Sequence, residues 1–283
     1  MSLSATLEFI ASHPLSRANR TAAFGRLLGW QLRSRLSREV TVNWIAGSKL
    51  VVRNGMHGAT GNIYCGLNEF PEMAFLLHLL RPADLFLDIG ANVGSFTVLG
   101  AKVCGSRVIA FEPDPGTAAS LRKNITVNQV ADQVRVEVCA LGDRTGEAAF
   151  TIGRDVTNHI TDGSEGPTQL VPIRRLDDIC AGENPVLIKI DVEGFESQVL
   201  AGGAKVLRCK SLMAVESESD HGDIIPVMAD AGFVPRYYDP FARTLSSTPG
   251  GYKVTNTIFV RESAELVDRL RSAPRRTVCG VEF

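Results

Sequence analysis

The sequence predicts an α/β fold with a doubly wound, mostly parallel sheet of seven strands and an antiparallel edge strand. Three observations predict it. From residue 84 onward, short runs rich in Val, Ile and Leu alternate with helical stretches, as buried parallel strands and their crossover helices do. A Gly-rich turn follows the first run, and an acid ends the second. No crossover helix separates the last two runs, FVPRYYD and NTIFVRE, which indicates an antiparallel pair at the edge.

The stretch before this pattern is predicted to be an N-terminal extension. We expect residues 1–62 to form the extension and residues 63–283 to form the α/β domain. A helix is expected near residues 20–36. The β-rich runs 40–45 and 49–53, separated by Ala46-Gly47-Ser48, indicate a hairpin.

The extension has a one-sided charge. Six arginines and no acidic residue lie between residues 17 and 38, with leucines interleaved. A helix of this kind either packs its leucines on the domain and leaves its arginines in solvent, or rests on an anionic membrane surface. The sequence leaves peripheral membrane contact by residues 17–38 open.

The elements of the domain follow in chain order. Helices are expected near residues 71–80, 95–103, 116–128, 197–207 and 224–231. Strands are expected at LFLDIG, RVIAFEP, VRVEVCALG, EAAFTIG, VLIKID, LMAVES and the two late runs. Residues 153–169 are polar and Gly-rich, which predicts a long loop of the sort that carries substrate contacts.

Composition excludes several classes of protein. The formal net charge is -1, so no global field favours nucleic acid or another polyanion as a partner. The six cysteines are scattered without a C-x-x-C pair, which favours reduced thiols over a metal site. The chain has neither an apolar run long enough to span a membrane nor the layout of a signal peptide. We therefore expect a cytoplasmic protein.

The turn after LFLDIG is the first candidate site. Its sequence, Asp88-Ile89-Gly90-Ala91-Asn92-Val93-Gly94, lies where open α/β sheets bind ligands, at the carboxyl end of a parallel strand. The next strand ends in Glu112, 22 residues after Gly90, close to the roughly 20-residue interval at which an acid reaches ribose hydroxyls. This combination predicts a nucleotide-like ligand.

The charge of the turn indicates which ligand. A nicotinamide fingerprint has a glycine where this chain has Asn92, and its ligand is a pyrophosphate. Here the carboxylate of Asp88 points into the turn, which suits a ligand that carries a cation. S-adenosyl-L-methionine carries a sulfonium, an ammonium and a single carboxylate. Asn92 is acceptable there because Asn often adopts left-handed backbone conformations.

These motifs carry a family resemblance. LFLDIGANVGSFTVL, VIAFEPDP, CALGD and IKIDVEGFE, in this order, resemble the FkbM family of S-adenosyl-L-methionine-dependent methyltransferases. The resemblance spans roughly residues 63–260 and implies the Rossmann-like class I methyltransferase fold. It also implies O-methylation of a hydroxyl on a sugar, glycan or polyketide-like small molecule.

The resemblance assigns cofactor-binding residues. Asp88, Gly90, Asn92, Gly94 and Ser95 would hold the methionine half, and Glu112 the ribose. Cys139 and Ala140 stand at the end of the third strand, where many methyltransferases have an acid for the adenine amine, so backbone groups or Asp143 would serve here. Glu69 would reach the methionine ammonium. Asp191 completes the expected cofactor set.

A hydroxyl acceptor requires a group that takes up its proton. Asp191, at the end of VLIKID, is the expected catalytic base, with His159 of the long loop and Lys189 as the other candidates. Alternation puts Lys189 on the side of Asp191, either as a base or as an ion-pair partner that orders the sheet end. Glu193 and Glu216 are expected to face the cleft.

Several alternatives stay open. In the simplest interpretation, the negative charge of Glu196 stabilises the N-terminus of the following helix. The acidic run 216–223 with Asp191 suits Mg²⁺, but a solvated loop is commoner, and we expect no metal. N-methylation of an amino sugar, or a non-catalytic scaffold that binds S-adenosyl-L-methionine, would fit the same cofactor motifs.

Overall fold

The computed structural model describes residues 3–153, 157–161, 163, 166–218, 224–250 and 256–283. The helices are α1 Leu3–Ser12, α2 Pro14–Arg17, α3 Arg20–Leu36, α4 His57–Cys65, α5 Phe70–Leu79, α6 Ser95–Val98, α7 Pro115–Asn128, α8 Leu176–Ile179, α9 Glu196–Gly202, α10 Ile224–Asp230 and α11 Ala264–Ser272. Short 3-10 turns span Ile45–Gly47 and Val206–Arg208, and a π-helical turn, Leu99–Val103, extends α6.

The strands are β1 Val40–Asn43, β2 Lys49–Val52, β3 Leu85–Ile89, β4 Arg107–Phe111, β5 Val134–Glu137, β6 Ala140–Leu141, β7 Gly146–Thr151, β8 Ile160–Thr161, β9 Thr168–Arg174, β10 Pro185–Ile190, β11 Ala214–Glu218, β12 Val234–Asp239, β13 Thr244–Ser246, β14 Asn256–Val260, β15 Thr277–Val278 and β16 Val281–Glu282.

The central sheet has the predicted α/β class I methyltransferase architecture. Its strand order is β13-β12-β14-β11-β10-β3-β4-β5, and β5, β4, β3, β10 and β11 are mutually parallel. Helices cover both faces, because the strands are apolar on both sides.

The antiparallel part of the sheet differs from the prediction in detail. β14 pairs antiparallel with both β11 and β12, so it lies inside the sheet, and the edge is taken by an eighth strand, β13. All five residues of β14 are buried. The β12–β14 antiparallel pair itself was predicted correctly.

The register of the central strands brings three charged residues into one row. Asp88 of β3 is opposite Lys189 of β10, and Lys189 is opposite Glu216 of β11. Paired residues of adjacent strands project to the same face of a sheet. The three side chains therefore lie side by side under the helical layer that includes α5.

A second, four-stranded sheet with the order β6-β9-β7-β8 occupies the region after β5. The prediction of one strand over VRVEVCALG is wrong, since β5 ends at Glu137 and β6 begins at Ala140. The predicted loop 153–169 contains β8 and the start of β9. β9 pairs through its backbone while exposing most of its side chains, so its sequence carries only a weak apolar signal.

The N-terminal segment packs on the domain. α3 and the β1–β2 hairpin form where the sequence predicts them. The backbone N–H groups of Lys49 and Val51 donate to the side-chain oxygens of Asn128 (2.8 Å) and Asn124 (2.6 Å), which fixes β2 to α7. The predicted boundary after residue 62 falls inside α4, and the division into extension and domain stays a prediction.

No helix within the described ranges combines the length and apolar character needed to cross a bilayer. All six cysteines are free thiols, as their spacing predicts.

Candidate active site

A cavity of about 340 Å³ opens at the carboxyl ends of β3, β4 and β10. Its walls include the backbone turn after β3, the start of β6, and residues of α4 and α5. The expected residues Glu69, Asp88, Gly90, Asn92 and Ser95 all line this cavity. The structure therefore gathers most of the expected cofactor residues around one space.

The turn after β3 has a backbone that few residues can adopt. Gly90 has φ +79, and a Cβ placed there would lie 1.9 Å from the carbonyl oxygen of Asp191. Only glycine lets the ends of β3 and β10 approach this closely. Asn92 has φ 51, the left-handed conformation expected of it.

Gly94 lies in the same turn but does not line the cavity. It caps α6 with φ +90, and a Cβ there would lie 2.3 Å from the Cδ1 atom of Leu121 in α7. Its place in the motif is explained by helix packing. Gly94 was expected to hold the cofactor, but it is not exposed to the cavity.

Glu112 is buried at the end of β4 and lines the cavity. Its Oε2 accepts a hydrogen bond from the backbone N–H of Asn92 (2.9 Å), and its Oε1 accepts one from Asp114 (2.9 Å). Burial raises the pKa of Glu112 to about 7 despite these two bonds. Each carboxylate oxygen keeps a second lone pair, so the side chain can still accept hydroxyl donors.

Cys139 and Ala140 also line the cavity, but at the start of β6 and not at the end of the third strand of the main sheet. Burial raises the pKa of the Cys139 thiol to about 11, so it stays neutral. Asp143 is exposed and pairs with Arg144, away from the cavity lining. Of the residues expected near an adenine ring, Cys139 and Ala140 line the cavity and Asp143 does not.

The floor of the cavity is acidic. The Asp88 carboxylate is buried and accepts a 2.5 Å hydrogen bond from the hydroxyl of Thr97. Burial raises the pKa of Asp88, and burial, opposed by Lys189, raises that of Glu69 to about 7. Asp191 lines the same space. Three carboxyl groups thus surround the buried cation of Lys189.

Lys189 forms the ion pair that was one of its two expected roles. Its Nζ lies 2.6 Å from Oδ2 of Asp191 and 4.5 Å from the centre of the Phe96 ring. Burial lowers the pKa of Lys189, but Asp191, Glu69 and Asp88 outweigh that effect and raise it. A lysine held charged in this way cannot accept a proton, which argues against Lys189 as the base.

Glu193 borders the cavity on the turn between β10 and α9. Its φ is 53, an uncommon conformation for a residue with a side chain. Burial, followed by the charge of Asp191, raises the pKa of Glu193. The neighbouring Glu196 is buried at the start of α9, and its Oε1 accepts from the backbone N–H of Gly194 (3.2 Å), so it stabilises the turn.

His159 lies next to the cavity without lining it. Asn158 and Ile160, on either side of it, line the cavity, while a ring nitrogen of His159 lies 3.0 Å from the backbone oxygen of Thr157. His159 is therefore a neighbour of the cavity and not part of its lining.

The expectation that Glu216 faces the cleft is wrong. Glu216 is completely buried in the middle of β11 and is not part of the cavity lining. The strand continues past it to Glu218, so Glu216 does not end the strand. Burial, together with Glu72, raises its pKa well above the ordinary value.

Sequence reasoning missed several lining residues. Phe96 and Phe195 lie inside the quoted motifs, but nothing in their pattern marked them as ligand contacts. Phe150 and Asn158 come from the second sheet and the predicted loop. Asn256, at the start of β14, donates from its side chain to Glu69 (3.3 Å). No local sequence pattern links these residues, and only the tertiary fold brings them together at the cavity.

Within the described ranges, no three His, Cys, Asp or Glu side chains cluster as metal ligands. Asp220 and Asp223 of the acidic run lie outside those ranges.

Comparison with known proteins identifies the family of the chain. A family model described as a methyltransferase FkbM domain matches residues 88–235. The chain is 36% identical to the 2-O-methyltransferase NoeI of Sinorhizobium fredii, over 46% of this chain and 61% of that protein. It is 30% identical to the 31-O-demethyl-FK506 methyltransferase FkbM of Streptomyces tacrolimicus, over 58% of this chain and 78% of that protein.

A third relative is the hexuronic acid methyltransferase AglP of Haloferax volcanii, 27% identical over 58% of this chain and 69% of that protein. The alignment spans less than two thirds of the Sinorhizobium relative. The family match covers more than half of the chain and includes the turn after β3, Glu112 and the end of β10. The protein belongs to the FkbM family of methyltransferases.

Proposed function

We propose that the protein transfers the methyl group of S-adenosyl-L-methionine to a hydroxyl of a sugar, glycan or polyketide-like small molecule. The observation that carries the proposal is the acidic floor of the cavity. Among the described residues, Glu69, Asp88 and Asp191 share one buried cation, Lys189, so the cavity has an excess of carboxyl groups. A cationic ligand would relieve that excess, and a pyrophosphate would increase it.

The residues present fit the proposed cofactor. Gly90 leaves the backbone bare where a ligand must approach, and Glu112 offers buried carboxylate oxygens to the two hydroxyls of a ribose. Glu69 and Asp191 would hold the ammonium, and the start of β6 at Ala140 would border the adenine. The bound sulfonium supplies an electrophilic methyl group.

The protein would then align an acceptor hydroxyl and take up its proton. Two carboxyl groups line the cavity at the end of β10. Asp191 accepts a hydrogen bond from the ammonium of Lys189, which occupies one of its oxygens. Glu193 makes no side-chain hydrogen bond to a described residue, and its raised pKa suits a general base. We assign proton uptake to Glu193 and cofactor positioning to Asp191 and Lys189.

Relatives support the acceptor class. The names of two relatives specify O-methylation and that of a third a hexuronic acid, which supports a hydroxyl of a sugar or another small molecule as the acceptor. The mixed polar and aromatic residues Phe150, Asn158 and Phe195 on one wall suit a hydroxyl-rich ligand. The six free cysteines suit a reducing compartment, and we place the protein in the cytoplasm.

Release of S-adenosylhomocysteine, measured over a panel of uronic acids, neutral sugars and polyketide alcohols, tests the activity. Calorimetry with S-adenosyl-L-methionine and with NAD tests the cofactor separately. Tight NAD binding with none for S-adenosyl-L-methionine would overturn the proposal. Binding of S-adenosyl-L-methionine without turnover on any acceptor would favour a non-catalytic scaffold.

Two variants test the assignment of the base. We expect Glu193→Gln to reduce kcat about 10²-fold or more while leaving cofactor affinity unchanged. Asp191→Asn is expected to weaken cofactor binding as well as turnover. Full activity of Glu193→Gln, with a loss of kcat alone in Asp191→Asn, would move the base to Asp191.

A further inference from the structure

Helix α3 has two opposite faces. Ala23, Leu27 and Trp30 are buried, and this face packs against α4. Leu28, Leu32 and Leu36 are 69%, 63% and 78% exposed. Side chains four residues apart lie on the same side of a helix, so these three form a continuous apolar stripe that faces solvent. We refer to Leu28, Leu32 and Leu36 as the leucine stripe.

The leucine stripe is flanked by positive charge. Arg20 and Arg35 of α3 and Arg38, two residues past its end, are exposed. None of the three forms an ion pair with an acid in the described part of the chain. The first acid beyond the helix, Glu39, is paired with Lys123 at 2.5 Å. The face therefore presents three leucines with uncompensated arginines around them.

The chemistry of this face selects its partner. A purely polar partner would leave the leucines uncovered. A second copy of the chain, docked by the same face about a two-fold axis, would set arginines against arginines. The surface of an anionic bilayer satisfies both groups, since it takes leucines into its acyl boundary and arginines against its phosphates.

We propose that the leucine stripe and its flanking arginines dock α3 on the surface of an anionic lipid bilayer. Docking does not depend on the proposed methyl transfer. None of these residues lines the cavity at the end of β3, so the two properties can be measured separately.

Sedimentation of the full chain with vesicles tests the proposal. We expect binding to phosphatidylcholine vesicles that contain phosphatidylglycerol, weak binding to pure phosphatidylcholine, and loss of binding as salt is raised. Absence of binding to the anionic vesicles at low salt would overturn it.

Variants identify the face. Leu28→Gln/Leu32→Gln/Leu36→Gln should lose vesicle binding, because the apolar contribution is removed. Arg20→Gln/Arg35→Gln should weaken it about 30-fold, since each arginine near an anionic surface contributes about fivefold. Leu170→Gln, at a leucine of β9 that is 70% exposed, and Arg122→Gln of α7 are matched controls that should bind as the parent does.

Two results would contradict the assignment. One is undiminished vesicle binding by the triple leucine variant. The other is a parent protein that is dimeric in light scattering while the triple variant is monomeric, which would make the stripe a subunit interface. Unchanged S-adenosyl-L-methionine affinity in each variant shows that the fold is intact.

Discussion

Glu216 lies in register with Lys189 on the neighbouring strand, yet both oxygens of its carboxyl group lack a hydrogen-bond partner among the described residues. Lys189 turns instead to Asp191, 2.6 Å away. An unpaired carboxyl group in a fully buried position lowers the stability of the fold, because its desolvation is not repaid. The sheet beneath the cavity therefore carries more buried acid than folding alone would favour.

We expect Glu216→Met, which roughly conserves side-chain volume, to stabilise the ligand-free protein by about 1–3 kcal/mol. Urea denaturation measures this. The raised pKa of Glu216 means that its unfavourable contribution grows as pH rises above 4.5, so the difference between variant and parent should shrink on acidification. A variant less stable than the parent at neutral pH would contradict this account.

Glu112 should show opposite effects on stability and binding. Its pKa is raised from 4.5 to about 7, so its favourable contribution is complete below pH 4.5 and is lost as pH rises through about 7. We expect the stability of ligand-free Glu112→Gln, relative to the parent, to rise as pH increases through about 7, offset by the backbone N–H that loses its acceptor when one oxygen becomes an NH2 group.

The same variant should bind S-adenosyl-L-methionine about 10- to 100-fold more weakly, because a carboxylate that accepts two hydroxyl donors is lost. For the parent, affinity should fall as pH drops below about 7, where Glu112 takes up a proton, and this dependence should flatten in Glu112→Gln. Calorimetry across pH checks both. Unchanged affinity would remove Glu112 from the ribose site.

Gly90 should not tolerate a side chain. Gly90→Ala places a Cβ 1.9 Å from a backbone oxygen of Asp191, which cannot move aside without shifting β10. We expect a loss of several kcal/mol, about 3 or more, and loss of cofactor binding. Gly182→Ala is the matched control, since Gly182 has the same φ of +79 with nothing within 4 Å. It should cost only about 1 kcal/mol. Equal costs would assign the effect to φ alone.

Lys189 should be required for folding as well as for the site. Lys189→Met removes a buried cation that stabilises the charges of Glu69, Asp88 and Asp191, and breaking a buried pair in this way costs about 3–5 kcal/mol. Thermal unfolding should show the deficit to be larger at high pH, where the carboxyl groups must ionise without a partner. The double variant Lys189→Met/Asp191→Asn should recover part of it. If the double variant recovers no stability, loss of the Lys189–Asp191 ion pair is not the cause of the deficit.

Local signals explain what the sequence could predict. The strands β3, β4 and β10 are nearly continuous apolar runs. The helices α3, α7 and α10 begin and end close to the expected residues. The turn after β3 was identified because Gly90 and Asn92 need backbone conformations that few residues adopt. Glu112 followed from spacing alone.

Tertiary context explains what it could not. β6 is two residues long, and β9 exposes most of its side chains, so neither has a strong period. Glu216 was wrongly predicted to face the cleft because the sequence does not show that β11 continues to Glu218. The lining by Phe150 and Asn256 depends on elements that are distant in sequence and meet only in the folded chain.

The four-stranded sheet enters the chain as a single excursion between β5 and β10 of the central sheet. Its Phe150 and Ile160 form one wall of the cavity, while the turn after β3 forms another. Under the proposed function, Phe150 and Ile160 would face the acceptor and the turn after β3 would hold the methyl donor, so the two are encoded in separate stretches of sequence. A relative could exchange the part of this excursion that follows β6 for one of different length and acquire a new acceptor, while the turn after β3 stayed unaltered.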